Sequence, residues 1–151
     1  MILLALLLQV GPVEEPVAPY VQSPANAGAT PIAGDGVWRA FHEGPGVARI
    51  VDTFVARNLA DPRIGDIFKG LDLVRLRRVL NEHFCYLLGG GCTYSGRSMK
   101  DAHRNMAIQS ADMGALTENL QWAMRAEGVP FLAQNRLLAK LAPMKRDVVE
   151  R

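Results

Sequence analysis

A chain of 151 residues, 49% of them apolar, is long enough for one domain with its own core and gives no reason to divide it into two. Seventeen basic against fifteen acidic residues leave a formal charge of +2, spread along the chain, which excludes a strongly basic nucleic-acid binder. The two cysteines, Cys85 and Cys92, are too few for a disulfide framework.

The first ten residues, MILLALLLQV, are almost wholly apolar, yet shorter than the roughly 20 residues a membrane-spanning helix needs. They resemble the hydrophobic part of an export signal, although no Lys or Arg precedes them and the small-x-small triplet Ala25-Asn26-Ala27 comes late. The expectation is a periplasmic or cell-envelope location in preference to a cytoplasmic one, with membrane association only through this segment if it is retained. Residues 11 to 35 hold five of the nine prolines among Ala, Gly and Ser, which predicts a flexible leader. Residues 1–35 are therefore read as the apolar segment and leader, and 36–151 as the folded domain.

Val37 to Phe41 makes a short helix, and the turn His42 to Gly46 follows, with glycines to relax the backbone and Pro45 suited to a helix start. Val47, Ile50, Val51, Phe54 and Val55 then repeat at helical spacing as far as Leu59, and Asp61-Pro62 ends that helix. Phe68 falls in a connecting segment. The clearest helix is 72–88, capped by Asp72, with Leu73, Leu76, Leu80, Phe84, Leu87 and Leu88 on one face. Arg75, Arg77, Arg78, Asn81 and Glu82 form its solvated face, and Gly89, Gly90 and Gly91 stop it. A loop to Met99 and a short helix from about Lys100 deliver His103. Ser110 is the expected cap of a helix carrying Met113, Leu116, Leu120, Ala123 and Met124 as far as Gly128. Pro130 opens the last helix, with Phe131, Leu137, Leu138, Leu141 and Val148 on its apolar face and a kink at Pro143. No alternating stretch supports a strand, so the fold class is all-α.

His103 stands between two apolar faces, where an imidazole is either a satisfied core group or a ligand. Several pieces, taken together, favour the ligand. FHEGPGVARIVDTF, LADPRIGDIF with Phe68, the helix ending in GG, Tyr94-x-Gly96-Arg97-x-Met99, Ala102-His103, the GVP of Gly128 to Pro130 and the LAP of Leu141 to Pro143 occur in that order. In this combination, over residues 36 to 149, the chain resembles the group I truncated haemoglobins, which implies a two-on-two helical sandwich. By position the resemblance makes His103 the proximal haem ligand and Phe68 a ring packed flat on the haem.

A haem needs a flat apolar slot, a basic axial nitrogen and polar groups at the rim. The expected lining is Phe54, Val55, Phe68, Leu76, Leu80, Phe84, Met99, Ile108, Met113, Leu116 and Leu120, with Arg77, Tyr94 and Arg97 as candidates for the propionates. No Cys-x-x-Cys-His run is present, so the expected cofactor is haem b held without a covalent link. His83, three residues after Leu80, could give a bis-histidine electron-transfer haem, though a structural histidine is the plainer reading. With Cys85 and Cys92 it makes only a weak zinc set. Those two cysteines are either bridged, if the chain is exported and Gly89 folds Cys92 back, or two thiols without a role.

No G-x-S-x-G, phosphate loop or H-E-x-x-H motif is present, so nothing hydrolytic competes. The remaining alternative is a helical interaction or sensor domain that kept the globin fold and lost haem. The resemblance implies diatomic gas ligands (oxygen, nitric oxide, carbon monoxide), with an electron-donating reductase as a possible partner class and no nucleic acid. One departure stands out. Positions that in well-known relatives supply a tyrosine and a glutamine to the ligand are here Val55 and Leu80, and the other facing position is Leu76. None of the three donates a hydrogen bond. The expectation is fast oxygen release, tight carbon monoxide binding, and redox, nitric-oxide or sensing chemistry rather than oxygen storage.

Overall fold

The computed structural model describes residues 13–150, so the apolar run at 1–10 lies outside the described residues. Seven helices carry the fold among these residues: α1 (Gly36–Ala40), α2 (Glu43–Ala60), α3 (Leu73–Leu87), α4 (Met99–Ala102), α5 (Ser110–Ala126), α6 (Phe131–Leu141) and α7 (Lys145–Val148). Short 3-10 turns at Pro24–Ala27, Gly65–Phe68 and Ala142–Met144 complete the regular structure, and no strand occurs among the described residues. The fold is all-α, as the missing alternation predicts. α2 packs on both α3 and α5, and α6 closes against α3 and α5, so two helix pairs form a sandwich.

The core lies where the predicted stripes meet. Val47, Ile50, Val51 and Val55 of α2, Leu87 and Leu88 at the end of α3, Met124 of α5 and Leu137 of α6 are fully or almost fully buried. The corner between α1 and α2 works differently from the expected glycine turn. His42 and Glu43 take the left-handed backbone (φ 60° and 58°), while Gly46 is needed because a Cβ there would lie 2.0 Å from the Phe41 carbonyl oxygen. At the other end, Asp61 turns extended (ψ 115°) ahead of Pro62 and stops α2 as predicted.

Asp72 caps α3 by accepting a hydrogen bond from the Arg75 amide at 3.1 Å. The helix stops at Gly89, whose φ of 82° is left-handed and whose missing side chain lets the Ile32 carbonyl approach; a Cβ there would lie 2.6 Å from it. Two expectations need correction. Ser110 is the first residue of α5 rather than its cap; Gln109 takes the cap position, and the Asp112 side chain reaches back to accept from the Gln109 amide at 2.8 Å. Phe131 and Leu132 are exposed (70% and 79%), so the buried face of α6 begins at Ala133. Pro143 shortens the last helix as expected: a 3-10 turn takes over at Ala142 and α7 follows.

The segment 13–35, a leader by composition, is laid along α3 and the loop that follows it. Ala27 and Ile32 belong to the buried core, and the Ile32 amide donates to the Leu87 carbonyl at 2.8 Å. Four prolines stiffen this path, and apart from those of the turn at 23–28 its bonds go to the body of the molecule.

Candidate functional site

The loop from Gly91 to Ser98 and the four-residue helix α4 exist to place one side chain. Ser98 caps α4, its hydroxyl accepting from the Asp101 amide at 3.2 Å, and His103 takes the C-cap position, its amide bonding the Met99 carbonyl. The His103 ring turns back onto the same carbonyl, with Nδ1 2.7 Å from the Met99 oxygen. A carbonyl can only accept, so Nδ1 carries the proton and Nε2 keeps its lone pair. Burial lowers the His103 pKa, opposed in part by the Met99 carbonyl, so the ring is neutral at pH 7. A neutral imidazole with a fixed tautomer and a free Nε2 is the donor set of an axial metal ligand.

The expected apolar lining separates into two classes. Val55, Phe84, Ile108 and Leu120 are buried in the core, and Phe54 stands at its edge with its ring centroid 6.5 Å from that of Phe84. Phe68, Leu76, Leu80, Met99, Met113 and Leu116 are only half-buried. Leu73, Leu76, Leu80, Met99 and Leu116 pack against the margin of the core with their other sides uncovered. Large apolar side chains in this state, on α3, α5 and the short helix that ends at His103, fit a planar apolar group.

The rim candidates divide as well. Tyr94 is buried, its hydroxyl donates to the Arg97 carbonyl at 2.8 Å, and burial pushes its pKa up to about 12. It therefore braces the loop. Gly96 lets its ring lie flat, since a Cβ there would come within 2.3 Å of the Tyr94 oxygen. Arg97 donates to the Ala18 carbonyl at 2.8 Å, and Arg77 lies 3.5 Å from Asp52. Arg75 and Arg78, read from the sequence as part of a solvated face, are instead taken up by the 13–35 segment: Arg78 pairs with Glu14, and Arg75 donates to the Tyr20 hydroxyl at 2.9 Å. Sequence reasoning missed this layer. A lone tyrosine and two glutamates in a proline-rich stretch were its only signal.

His83 is buried, and its Nε2 lies 2.7 Å from the Ala27 carbonyl, to which it donates. Its ring lies tilted against Tyr94, with centroids 4.9 Å apart, and burial lowers its pKa. Cys85 and Cys92 are joined as a disulfide with Cα atoms 5.6 Å apart, so the glycine break does fold Cys92 back onto the end of α3. The bridge leaves neither thiol for a zinc ion, and no metal-binding cluster of His, Cys, Asp and Glu occurs among the described residues.

A family profile for bacterial-like globins matches residues 42–150. A group 1 truncated haemoglobin of Mycolicibacterium paratuberculosis is 31% identical over 99 residues, covering 66% of this chain and 73% of that protein. One from Tetrahymena pyriformis is 28% identical over 99 residues, 66% of this chain and 82% of that one. Among solved structures, the Fe(III) form of the Tetrahymena pyriformis truncated haemoglobin superposes with a TM-score of 0.73 at 24% identity, covering 76% of this chain and 98% of that chain. The 2/2 haemoglobin of Synechococcus sp. PCC 7002, solved with covalently attached haem, gives a TM-score of 0.70 at 22% identity over the same shares of the two chains. The profile spans most of the chain, the relatives share its sequence as well as its helical sandwich, and the chain belongs to the bacterial-like globins, among the group 1 truncated haemoglobins.

Proposed function

We propose that the chain binds haem b without a covalent link and takes a diatomic gas as ligand, with His103 as the proximal ligand. The family binds haem and gases; the observation that carries the assignment to this residue is the bond from His103 Nδ1 to the Met99 carbonyl, which leaves Nε2 unprotonated in a neutral ring. Phe68, Leu76, Leu80, Met99, Met113 and Leu116 would hold the porphyrin, whose iron would supply the chemistry that binds the gas. The chain's groups argue against a covalent link to the porphyrin. Both cysteines are in the bridge, His42 is held by Glu127 at 3.0 Å, and His83 is held by Ala27.

On the gas side, Val55, Leu76 and Leu80 offer no donor. A ligand that gathers negative charge on binding, such as oxygen, loses the help of about 1.5–3 kcal/mol that a hydrogen bond to a charged acceptor gives. Carbon monoxide gathers less and keeps its affinity. This supports redox, nitric-oxide or sensing chemistry over oxygen storage, and turnover of that kind calls for an electron-donating partner. His83 supports the structural reading over the bis-histidine one, because its Nε2 is engaged by the Ala27 carbonyl. The bridged cysteines support an oxidising compartment, and with it the periplasm or cell envelope.

Titrating the purified chain with haem tests the reading. A one-to-one complex with a strong Soret band is expected, and His103→Ala is expected to lose the axial-nitrogen spectrum and regain it with added imidazole. A wild type that stays colourless returns the chain to the alternative of a globin fold that has lost haem. A His103→Ala variant with an unchanged spectrum removes His103 as the ligand.

A further inference from the structure

The family match begins at residue 42, yet residues upstream of it build much of the edge between α3 and the loop Tyr94–Arg97. The Glu15 amide donates to Asp72 at 2.6 Å, the Ala18 carbonyl accepts from Arg97, and Asn26 donates to the Gly96 carbonyl at 3.3 Å. Tyr20 is at the centre of this layer. Its hydroxyl donates to the Ser95 carbonyl at 2.5 Å and accepts from Arg75 at 2.9 Å. Its ring lies under two guanidinium groups, with Arg97 at 5.0 Å and Arg75 at 5.7 Å from the centroid.

The carboxylates near this spot are shared unevenly among its arginines. Arg78, on the same helix, has two carboxylate partners, Glu14 and Glu82, and Arg77 has Asp52. Among the described residues, Arg75 and Arg97 have none. One tyrosine thus gathers two cations that have no carboxylate within salt-bridge distance among the described residues, an arrangement that an anion with two separate carboxylates would complete, and guanidinium forks suit carboxylates. The position names the anion. Arg75 adjoins Leu76 on α3, and Arg97 lies two residues before Met99 on the loop that leads to His103. Leu76, Met99 and His103 are the residues assigned above to haem, whose two propionates leave the porphyrin from one edge.

Resting on that haem reading, we propose that Tyr20 is a positioning residue for haem: it holds Arg75 and Arg97 as a pair for the two propionates, so that a segment outside the matched globin body completes the cofactor site. It acts through the two arginines and needs no contact with haem itself. The ring supplies the cation–π support and the hydroxyl fixes the direction of approach. Tyr20→Phe should keep the first and lose the second, whereas Tyr20→Ala should lose both.

The test measures haem loss from the full-length protein to an excess of an apo-globin acceptor, once with iron protoporphyrin IX and once with its dimethyl ester, which lacks the carboxylates. With the native haem, Tyr20→Ala is expected to release about tenfold faster and Tyr20→Phe about threefold faster. With the ester, all three proteins should release within about twofold of one another, because the charge that the arginines recognise is gone. Equal acceleration for both haems would mean that Tyr20 only braces the fold, and no acceleration for either would mean that it does nothing; both overturn the proposal. If Tyr20→Ala does not fold, Tyr20→Phe with the two haems decides alone. A wild type that takes up neither haem refutes the haem reading itself, whereas normal uptake with no Tyr20 effect refutes only this inference.

Discussion

The two halves of α3 carry the same kind of leucine-rich stripe to different ends. In the half from Leu73 to Glu82 every residue, leucine or arginine, is partly exposed, whereas from His83 onward four of the last five residues of the helix (His83, Phe84, Cys85 and Leu87) are buried. The second half meets α2, α6 and the 13–35 segment and finds side chains complementary to its own. The first half binds the 13–35 segment through Arg75 and Arg78 yet keeps one side of Leu76 and Leu80 uncovered. An amphipathic repeat states that a face must be covered without stating by what, and here one helix is covered partly by protein and, on our reading, partly by a cofactor.

The comparison is broken most sharply by truncating each half in turn. Leu87→Ala removes a fully buried side chain and is expected to cost about 2–5 kcal/mol of folding stability with haem affinity scarcely changed. Leu80→Ala should cost about 1 kcal/mol or less in the haem-free chain but speed haem loss severalfold. Denaturant unfolding and haem-transfer kinetics on the two variants check this, and equal stability losses would erase the distinction.

The gas side gives the next effect. Val55 is fully buried and leaves no room for a larger side chain, so Leu80, half-buried, is the better place for a donor. Leu80→Gln is expected to slow oxygen dissociation by tenfold to a hundredfold, the equivalent of about 1.5–3 kcal/mol, and to leave carbon monoxide nearly unchanged. Stopped-flow measurement of both gases decides it. A wild type already as slow as the variant would show that another donor reaches the ligand.

Closing the loop between Cys85 and Cys92 is worth about 2 kcal/mol by chain entropy. The double variant Cys85→Ala, Cys92→Ser should lower stability by about that much, with its effect at the buried end of α3 and in the loop that follows. Thermal unfolding with and without haem measures it, and a loss seen only with haem present would place the role of the bridge in the exposed half.

The smallest effect concerns pH. Burial holds the His83 pKa below its ordinary value of 6.5, so the unfolded chain binds the proton first. Stability is whole above pH 6.5 and falls as the pH drops from there to the folded-state pKa, below which the loss stops growing. His103 is shifted in the same direction and adds to the effect. His83→Phe should flatten part of the slope below pH 6.5 while costing the bond to the Ala27 carbonyl at every pH; an unchanged slope would leave His103 as its source.

Local rules reached the helices because caps, breakers and spacing act over a few residues: Asp72, Gly89, Asp61-Pro62 and Pro143 all behave as their chemistry requires. His103 was singled out through the resemblance, since spacing alone left an imidazole between two apolar faces open to either a structural or a ligand role. The 13–35 layer was not, since Tyr20 bonds Ser95 across 75 positions and nothing in an extended proline-rich stretch marks which side chains will find distant partners. The same blindness made Arg75 and Arg78 look solvated and Phe131 look buried. Periodicity fixes which residues share a face, and only the tertiary arrangement decides what that face meets.

The disulfide has a kinetic consequence that follows from where its two ends lie. Cys92 is exposed on the loop, whereas Cys85 is buried beside Trp38, with its sulfur and the indole edge both against Gly90. An attacking thiolate meets the exposed Cys92 side first, and the group it must then expel is the Cys85 thiolate, released into a buried site away from water. Exchange should therefore be slow with glutathione and quicken once denaturant exposes α3, so the bond is guarded by the fold it closes.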